Sequence, residues 1–145
     1  MPLLKLKRFK MKKNILFICK YNRFRSRVAE SIFNKLNKNK DYQVKSAGII
    51  GGAPIDVLER DICKKQEINI GGTPQGLSTS LLRWQDVTIV VADDVPISIF
   101  KDNKRYGKEL ITWSILDNKN CNKKEILDIV ELINKKVKKY IKGLK

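Results

Sequence analysis

Apolar residues recur along this chain in two rhythms. Asn14 to Ile18 (NILFI) is a largely apolar run, suited to a strand buried on both faces. From Ser26 to Leu36 the period changes: Val28, Ala29, Ile32, Phe33 and Leu36 fall on one face of a predicted helix. Asn37 to Asp41 is a polar turn, Tyr42 to Ser46 alternates like a strand, and Ala47 to Ala53 is a glycine-containing loop. Pro54 suits the first turn of a second helix, for which Ile55, Leu58 and Ile62 supply the predicted buried face and beyond which Gly71-Gly72 lies. Asp86 to Ala92 (DVTIVVA) is another buried strand, followed by a short helical piece near Pro96 to Phe100 and a strand at Glu109 to Trp113. The last helix starts near Asn122, because Asn122 and Glu125 have the spacing of a capping box. Ile126, Ile129, Val130, Ile133 and Val137 form its apolar stripe, and lysines crowd its C-terminal end, where the helix dipole favours cations.

Strands alternating with helices imply an α/β fold with a parallel sheet covered on both faces. Such sheets bind ligands beyond the carboxyl ends of their strands. The 145 residues fit one domain, with no internal repeat, and 42% hydrophobic content supplies its core without metals or disulfides. Residues 1–13 read as a basic N-terminal extension and residues 14–145 as the folded domain. No apolar stretch approaches the roughly 20 residues of a membrane span. The run at Ile15 to Ile18 is too short for a signal-peptide core, so the protein is read as cytoplasmic, with no membrane partner.

The formal charge of +16 attracts anions. Its lysines are scattered and few aromatics interleave them, which argues against nucleic acid as the main partner and leaves an anionic substrate attractive. The three cysteines, Cys19, Cys63 and Cys121, have no paired spacing, which argues against a disulfide framework. With no histidine and no C-x-x-C, no metal site or other cofactor is expected. The missing histidine also removes every Ser-His and Cys-His scheme, so a nucleophile must be activated in another way.

One segment has the residues for that: Cys19-Lys20-Tyr21-Asn22-Arg23-Phe24-Arg25-Ser26, between the first strand and the first helix. Five residues between Cys19 and Arg25 let a loop curl around a tetrahedral oxyanion, its N–H groups pointing inward and joined by those of the following helix. Arg25 would hold two phosphate oxygens with its planar fork. A helix N-terminus and nearby cations favour a thiolate, so Cys19 could attack phosphorus and form a phosphocysteine. Ser26 is placed to donate a hydrogen bond to that sulfur, and Asn22 suits a left-handed turn.

These residues resemble the low-molecular-weight protein tyrosine phosphatases, a family that also contains thioredoxin-coupled arsenate reductases. The resemblance rests on ILFICKYNRFRSRVAESIF (Ile15 to Phe33) and VKSAG (Val44 to Gly48), continues through Val87 to Val91, and reaches a late loop containing Asp117. It implies a three-layer sandwich, a four-stranded parallel sheet with helices on both faces. It further implies Cys19, Arg25 and Asp117 as catalytic residues, with Asp117 as general acid. Lys20, Tyr21, Asn22, Arg23, Phe24 and Ser26 would bind substrate, and Ser46 would brace Asn22. The implied substrate is a phosphorylated protein, phosphotyrosine above all, or a small phosphomonoester, with inorganic phosphate as product.

The chain also departs from the family's pattern. Tyr21 stands in place of a glycine, Phe24 in place of a second loop cysteine found in some members, and Asn118 in place of the proline after the acid. Asp93 and Asp94 are rivals for the acid role, although a solvated loop or helix-cap role suits both better. Cys63 is expected in the core and Cys121 in an exposed loop. Two alternatives remain open: an arsenate reductase and a non-catalytic phosphate-binding module. The region from Ala92 to Pro96 lacks the cysteine pair that the family's reductases carry there.

Overall fold

A computed structural model describes residues 13–144. Four strands form one sheet: β1 (Lys13–Cys19), β2 (Tyr42–Gly48), β3 (Val87–Val91) and β4 (Glu109–Trp113). Their spatial order is β2-β1-β3-β4 and every pairing is parallel. The α-helices are α1 (Arg25–Leu36), α2 (Val57–Lys65), α3 (Thr79–Trp84) and α4 (Lys123–Gly143), with 3₁₀ turns at Ile97–Phe100 and Lys104–Tyr106. Among the described residues no helix is long and apolar enough to cross a membrane. Of the predicted extension, residues 1–12 lie outside the described residues, while Lys13 opens β1 opposite Tyr42.

Alternate residues of β1 feed two separate cores. Ile15 and Phe17 pack with Val28, Ala29 and Phe33 of α1 and Ile126 and Ile133 of α4. Leu16 and Ile18 pack on the other face with Leu81 of α3 and Phe100. Each such fully buried side chain contributes roughly 1.5–3 kcal/mol relative to exposure, which makes β1 the spine of the molecule. The chain leaves β1 towards β2 on one side, whereas β3 leads to β4 on the other. The carboxyl ends of β1 and β3 therefore flank a topological switch point, the place where open parallel sheets generally bind ligands.

The structure corrects several predicted elements. The second helix begins at Val57, capped by Asp56, whose carboxylate accepts from the Glu59 N–H at 2.9 Å; Pro54 lies outside it. The helix is rotated from the predicted face: Leu58 is 41% exposed, and Glu59, Ile62 and Cys63 are buried. Three apolar residues had pointed to one stripe, but a carboxyl occupies it. Helix α3 was not anticipated, because its six residues are too few to show a period. Strand β2 runs on through Ala47 and Gly48, and past its end Gly48 forms a bridge with Gly76.

That extension of β2 sets the site. A Cβ on Gly48 would stand 2.5 Å from the carbonyl carbon of Tyr21 and 2.6 Å from the backbone nitrogen of Asn22. Only glycine lets β2 press against the loop after β1. The obstacles are backbone atoms, so no side chain can turn aside. Gly48→Ala is therefore expected to lower stability by about 1–3 kcal/mol. Chemical denaturation checks this, and an unchanged midpoint would mean that the strand end and the loop are free to separate.

Candidate active site

The loop from Lys20 to Phe24 is organised by Asn22, which is fully buried and has φ of 57°, the left-handed conformation expected for it. Its amide nitrogen donates to Ser26 Oγ at 2.8 Å and to Ser46 Oγ at 2.9 Å. Its amide oxygen accepts from the Gln75 N–H at 2.9 Å and from Arg27 Nη1 at 3.4 Å. Ser46 passes its own hydroxyl hydrogen to Glu30 Oε1 at 2.6 Å. Ser26, an acceptor from Asn22, lies 3.0 Å from Cys19 Sγ, within hydrogen-bond distance of the sulfur. Tyr21 keeps a negative φ, so this position does not require glycine.

Helix α1 begins where the loop ends. Its first intrahelical bond runs from the Val28 N–H to the Phe24 carbonyl at 2.9 Å, so the N–H groups of the first turn have no carbonyl within the helix. Asp56, Ser78 and Asn122 cap α2, α3 and α4 with their side chains, but no side chain caps α1. An anion at that end would meet free donors and the positive end of the helix dipole.

Arg25 is only 2% exposed. Its Nη1 donates to the Ile115 carbonyl at 2.8 Å, and its Nη2 to Asp94 Oδ1 at 2.9 Å. Asp93 Oδ1 lies 3.6 Å from Nη1 and Asp117 Oδ1 lies 3.7 Å from Nε. Asp93 and Asp94 are exposed loop residues, as expected of them, and they are also counter-charges for a buried guanidinium. Spacing in the sequence could not show this, because 69 residues separate Asp94 from Arg25. The structure does bring Asp117 to Arg25, with its side chain 26% exposed.

The remaining predicted residues fall into two groups. Phe24 turns into the core, 2% exposed, so it can serve a ligand only through its backbone. Lys20 and Arg23 flank the half-buried Tyr21 ring, at 5.3 and 5.4 Å from its centroid. Cys63 is buried, and burial, followed by the nearby Glu59, pushes its thiol up to about 12. Cys121 is exposed in the loop before α4.

Three contributors were missed in the sequence. Arg27 donates to the carbonyls of Ile70, Gly71 and Thr73 and so ties the 70–73 segment to the cradle. Gln75 bonds both Asn22 and the Ser46 carbonyl. Glu59 is 4% exposed, yet among the described residues its Oε1 has no hydrogen-bond partner, and its Oε2 accepts from Asn118 Nδ2 at 3.4 Å. The Asp56–Glu59 spacing was a readable capping signal, whereas Arg27 and Gln75 carry none.

A family model described as low molecular weight phosphotyrosine protein phosphatase matches residues 14–145, and the chain belongs to that family. No curated protein matches it. Among solved structures, a low molecular weight protein tyrosine phosphatase from T. tengcongensis is 24% identical, with a TM-score of 0.79 over 92% of this chain and 100% of that one. An arginine phosphatase from Geobacillus stearothermophilus is 19% identical, with a TM-score of 0.76 over 91% and 92%. A thioredoxin-dependent arsenate reductase from Corynebacterium glutamicum is 23% identical, with a TM-score of 0.70 over 97% of this chain and 65% of that one. These likenesses show the shared α/β fold.

Glu59 gives the site a pH-dependent cost. Burial pushes its carboxyl up from 4.5 to about 7; the nearby Asp56 and Asp117 add to this, and the Asn118 hydrogen bond and Arg23 oppose it. A folded-state value above the unfolded one means that the folded protein holds the proton more tightly. The associated stability is present below about pH 4.5 and is lost as pH rises through about 7. Relative to wild type, Glu59→Gln should therefore gain on the order of 3 kcal/mol between pH 4 and pH 8. Denaturant unfolding across that range reads the difference, and a gap independent of pH would show that Glu59 does not titrate there.

Proposed function

We propose that this member of the low molecular weight phosphatase family hydrolyses phosphomonoesters through a phosphocysteine at Cys19, with protein phosphotyrosine as its principal substrate class. The observation that carries this reading is the uncapped start of α1, where the Cys19 sulfur lies 3.0 Å from Ser26 Oγ. Cys19, Arg25 and Asp117 then have distinct roles. The Cys19 thiolate attacks phosphorus; the P–S bond forms as the bond to the leaving oxygen breaks, and Asp117 gives that oxygen its proton. Arg25 and the first-turn N–H groups stabilise the charge on the equatorial oxygens. Water then attacks phosphorus, Asp117 takes its proton, the P–S bond breaks, and inorganic phosphate leaves. The Ser26 hydroxyl supports the departing sulfur.

Lys20 and Arg23 add positive charge at the loop, which favours a dianionic phosphate. The reductase alternative needs a second thiol able to reach Cys19. Cys63 is buried with its thiol pushed up to about 12, and Asp93 and Asp94 follow β3 as partners of Arg25. The three unpaired cysteines suit a reducing compartment such as the cytoplasm.

Cys19→Ser is expected to abolish turnover of p-nitrophenyl phosphate while the protein still binds inorganic phosphate, measured by calorimetry. Substantial hydrolysis by that variant would remove the nucleophile assignment. Asp117→Asn should slow aryl phosphates with poor leaving groups by about 10²–10⁴-fold, with a smaller loss for p-nitrophenyl phosphate. A loss that is flat across a series of leaving groups would transfer the acid role to Asp93 or Asp94.

A further inference from the structure

Asp117 sits in a segment, residues 114–122, that has no regular secondary structure. Its beginning is held at Ile115, whose carbonyl accepts from Arg25 at 2.8 Å and from the Asp93 N–H at 3.1 Å. Its end is held by Glu125, which accepts from the Lys119 N–H at 2.6 Å and from Asn120 Nδ2 at 3.0 Å. Between these anchors, Leu116 is 60% exposed and contributes no grip. The middle of the segment is held through Asn118. The Asn118 N–H donates to Asp117 Oδ1 at 2.8 Å, a bond that a proline at this position could not make. Asn118 Oδ1 accepts from the Cys121 N–H at 3.0 Å, and Asn118 Nδ2 reaches Glu59 Oε2 at 3.4 Å.

Glu59 is built into helix α2, which packs on α4. The spacing Asp56-x-x-Glu59 would allow a reciprocal capping box, in which the glutamate reaches back to the N-cap N–H. Only half of that box forms: Asp56 accepts from the Glu59 N–H, but the Glu59 carboxyl turns to Asn118. Capping therefore does not explain the side chain. Nor does packing, since a buried carboxyl oxygen without a donor is costly and an apolar residue would fill the space at less expense. Beside the nearby charge of Arg23, the hydrogen bond that remains is the one with the loop that carries Asp117.

We propose that Glu59 is a positioning residue which, through Asn118, fixes the turn that presents Asp117 to the phosphate cradle. This rests on the reading of Asp117 as the general acid. Glu59 itself does not touch the substrate. It transfers the rigidity of a packed helix to a loop that lacks its own. Near-neutral titration fits a group kept beside Asp117 despite its cost.

The test is a double-mutant cycle read with a series of aryl phosphates. Glu59→Ala should lower kcat for poor leaving groups about tenfold, with KM within about twofold and a smaller loss for p-nitrophenyl phosphate. Glu59→Gln keeps an acceptor oxygen for Asn118 and should recover most of that loss; being close in shape, it also covers the case in which the alanine variant folds poorly. In the Asp117→Asn background, Glu59→Ala should cost nothing further. A loss that multiplies in full on Asp117→Asn, one equal for all leaving groups, or one confined to KM would each overturn the proposal. Failure of the acid assignment is separate: it appears in Asp117→Asn alone, as a flat loss across the series.

Discussion

The candidate site depends on the hydrogen bonds of one buried amide. Asn22 occupies a left-handed conformation that most side chains avoid, and it is fully enclosed, so every donor and acceptor it carries needs a partner. Its two N–H bonds go to the two serines and its oxygen takes the Gln75 N–H. This fixes polarity as well as shape. Ser46, having accepted from Asn22, donates to Glu30; Ser26, having accepted from Asn22, stands 3.0 Å from Cys19 Sγ. A single residue thus sets the curl of the loop and places Ser26 beside the sulfur. Replacing it with a residue lacking one of these groups would leave a buried serine or backbone N–H unpaired, at a cost of about 1–3 kcal/mol each.

The sheet supplies the rest by its polarity. Because all four strands are parallel, their carboxyl ends lie on one edge, and each delivers a different part. Strand β1 ends in Cys19 and β2 in Ser46 to Gly48; β3 leads to Asp93 and Asp94, and β4 to Ile115 and Asp117. An antiparallel arrangement would send half of these residues to the opposite edge. The packing that makes β1 central, apolar on both faces, is therefore the packing that places the thiol at the switch point between β1 and β3. The core that stabilises the fold and the edge that holds the candidate site are two consequences of the same strand order.

Much of this was legible in the sequence, and what escaped has physical reasons. Strands β1 and β3 and helices α1 and α4 followed from apolar periodicity, because their buried faces are long and uninterrupted, and β2 followed from its alternation. The Cys19 to Ser26 loop could be read because it is local, and Asn22 has the backbone conformation that its residue type suggested. Helix α2 was misjudged because its buried face includes Glu59, a residue that periodicity counts as polar. The roles of Asp93, Asp94, Arg27 and Gln75 depend on contacts across tens of residues and leave no trace in local spacing. Gly48 stood in a readable Ser-Ala-Gly segment, but the reason for a glycine there, backbone pressed against backbone, appears only in three dimensions.

The distribution of charge joins these parts. The chain as a whole carries +16, yet Asp93, Asp94 and Asp117 converge on Arg25. A guanidinium cannot shed its proton, and burying one without partners would be prohibitive, so the carboxylates are what allow Arg25 to sit 2% exposed at the candidate site. They also oppose an incoming dianion. What offsets them at short range is the uncapped start of α1, together with Lys20 and Arg23 on the same loop. The surface lysines act differently. Their field is screened beyond about 8–10 Å at physiological salt, so it raises the local concentration of anions without distinguishing among them. On the proposed reading, selectivity comes from the few groups within bonding distance of the phosphate, where a fixed fork and ordered N–H groups reward a tetrahedral dianion. On the same proposed reading, a substrate is drawn in by the protein's total charge and held against a locally acidic background, and a ligand matching the geometry of the loop gains the most.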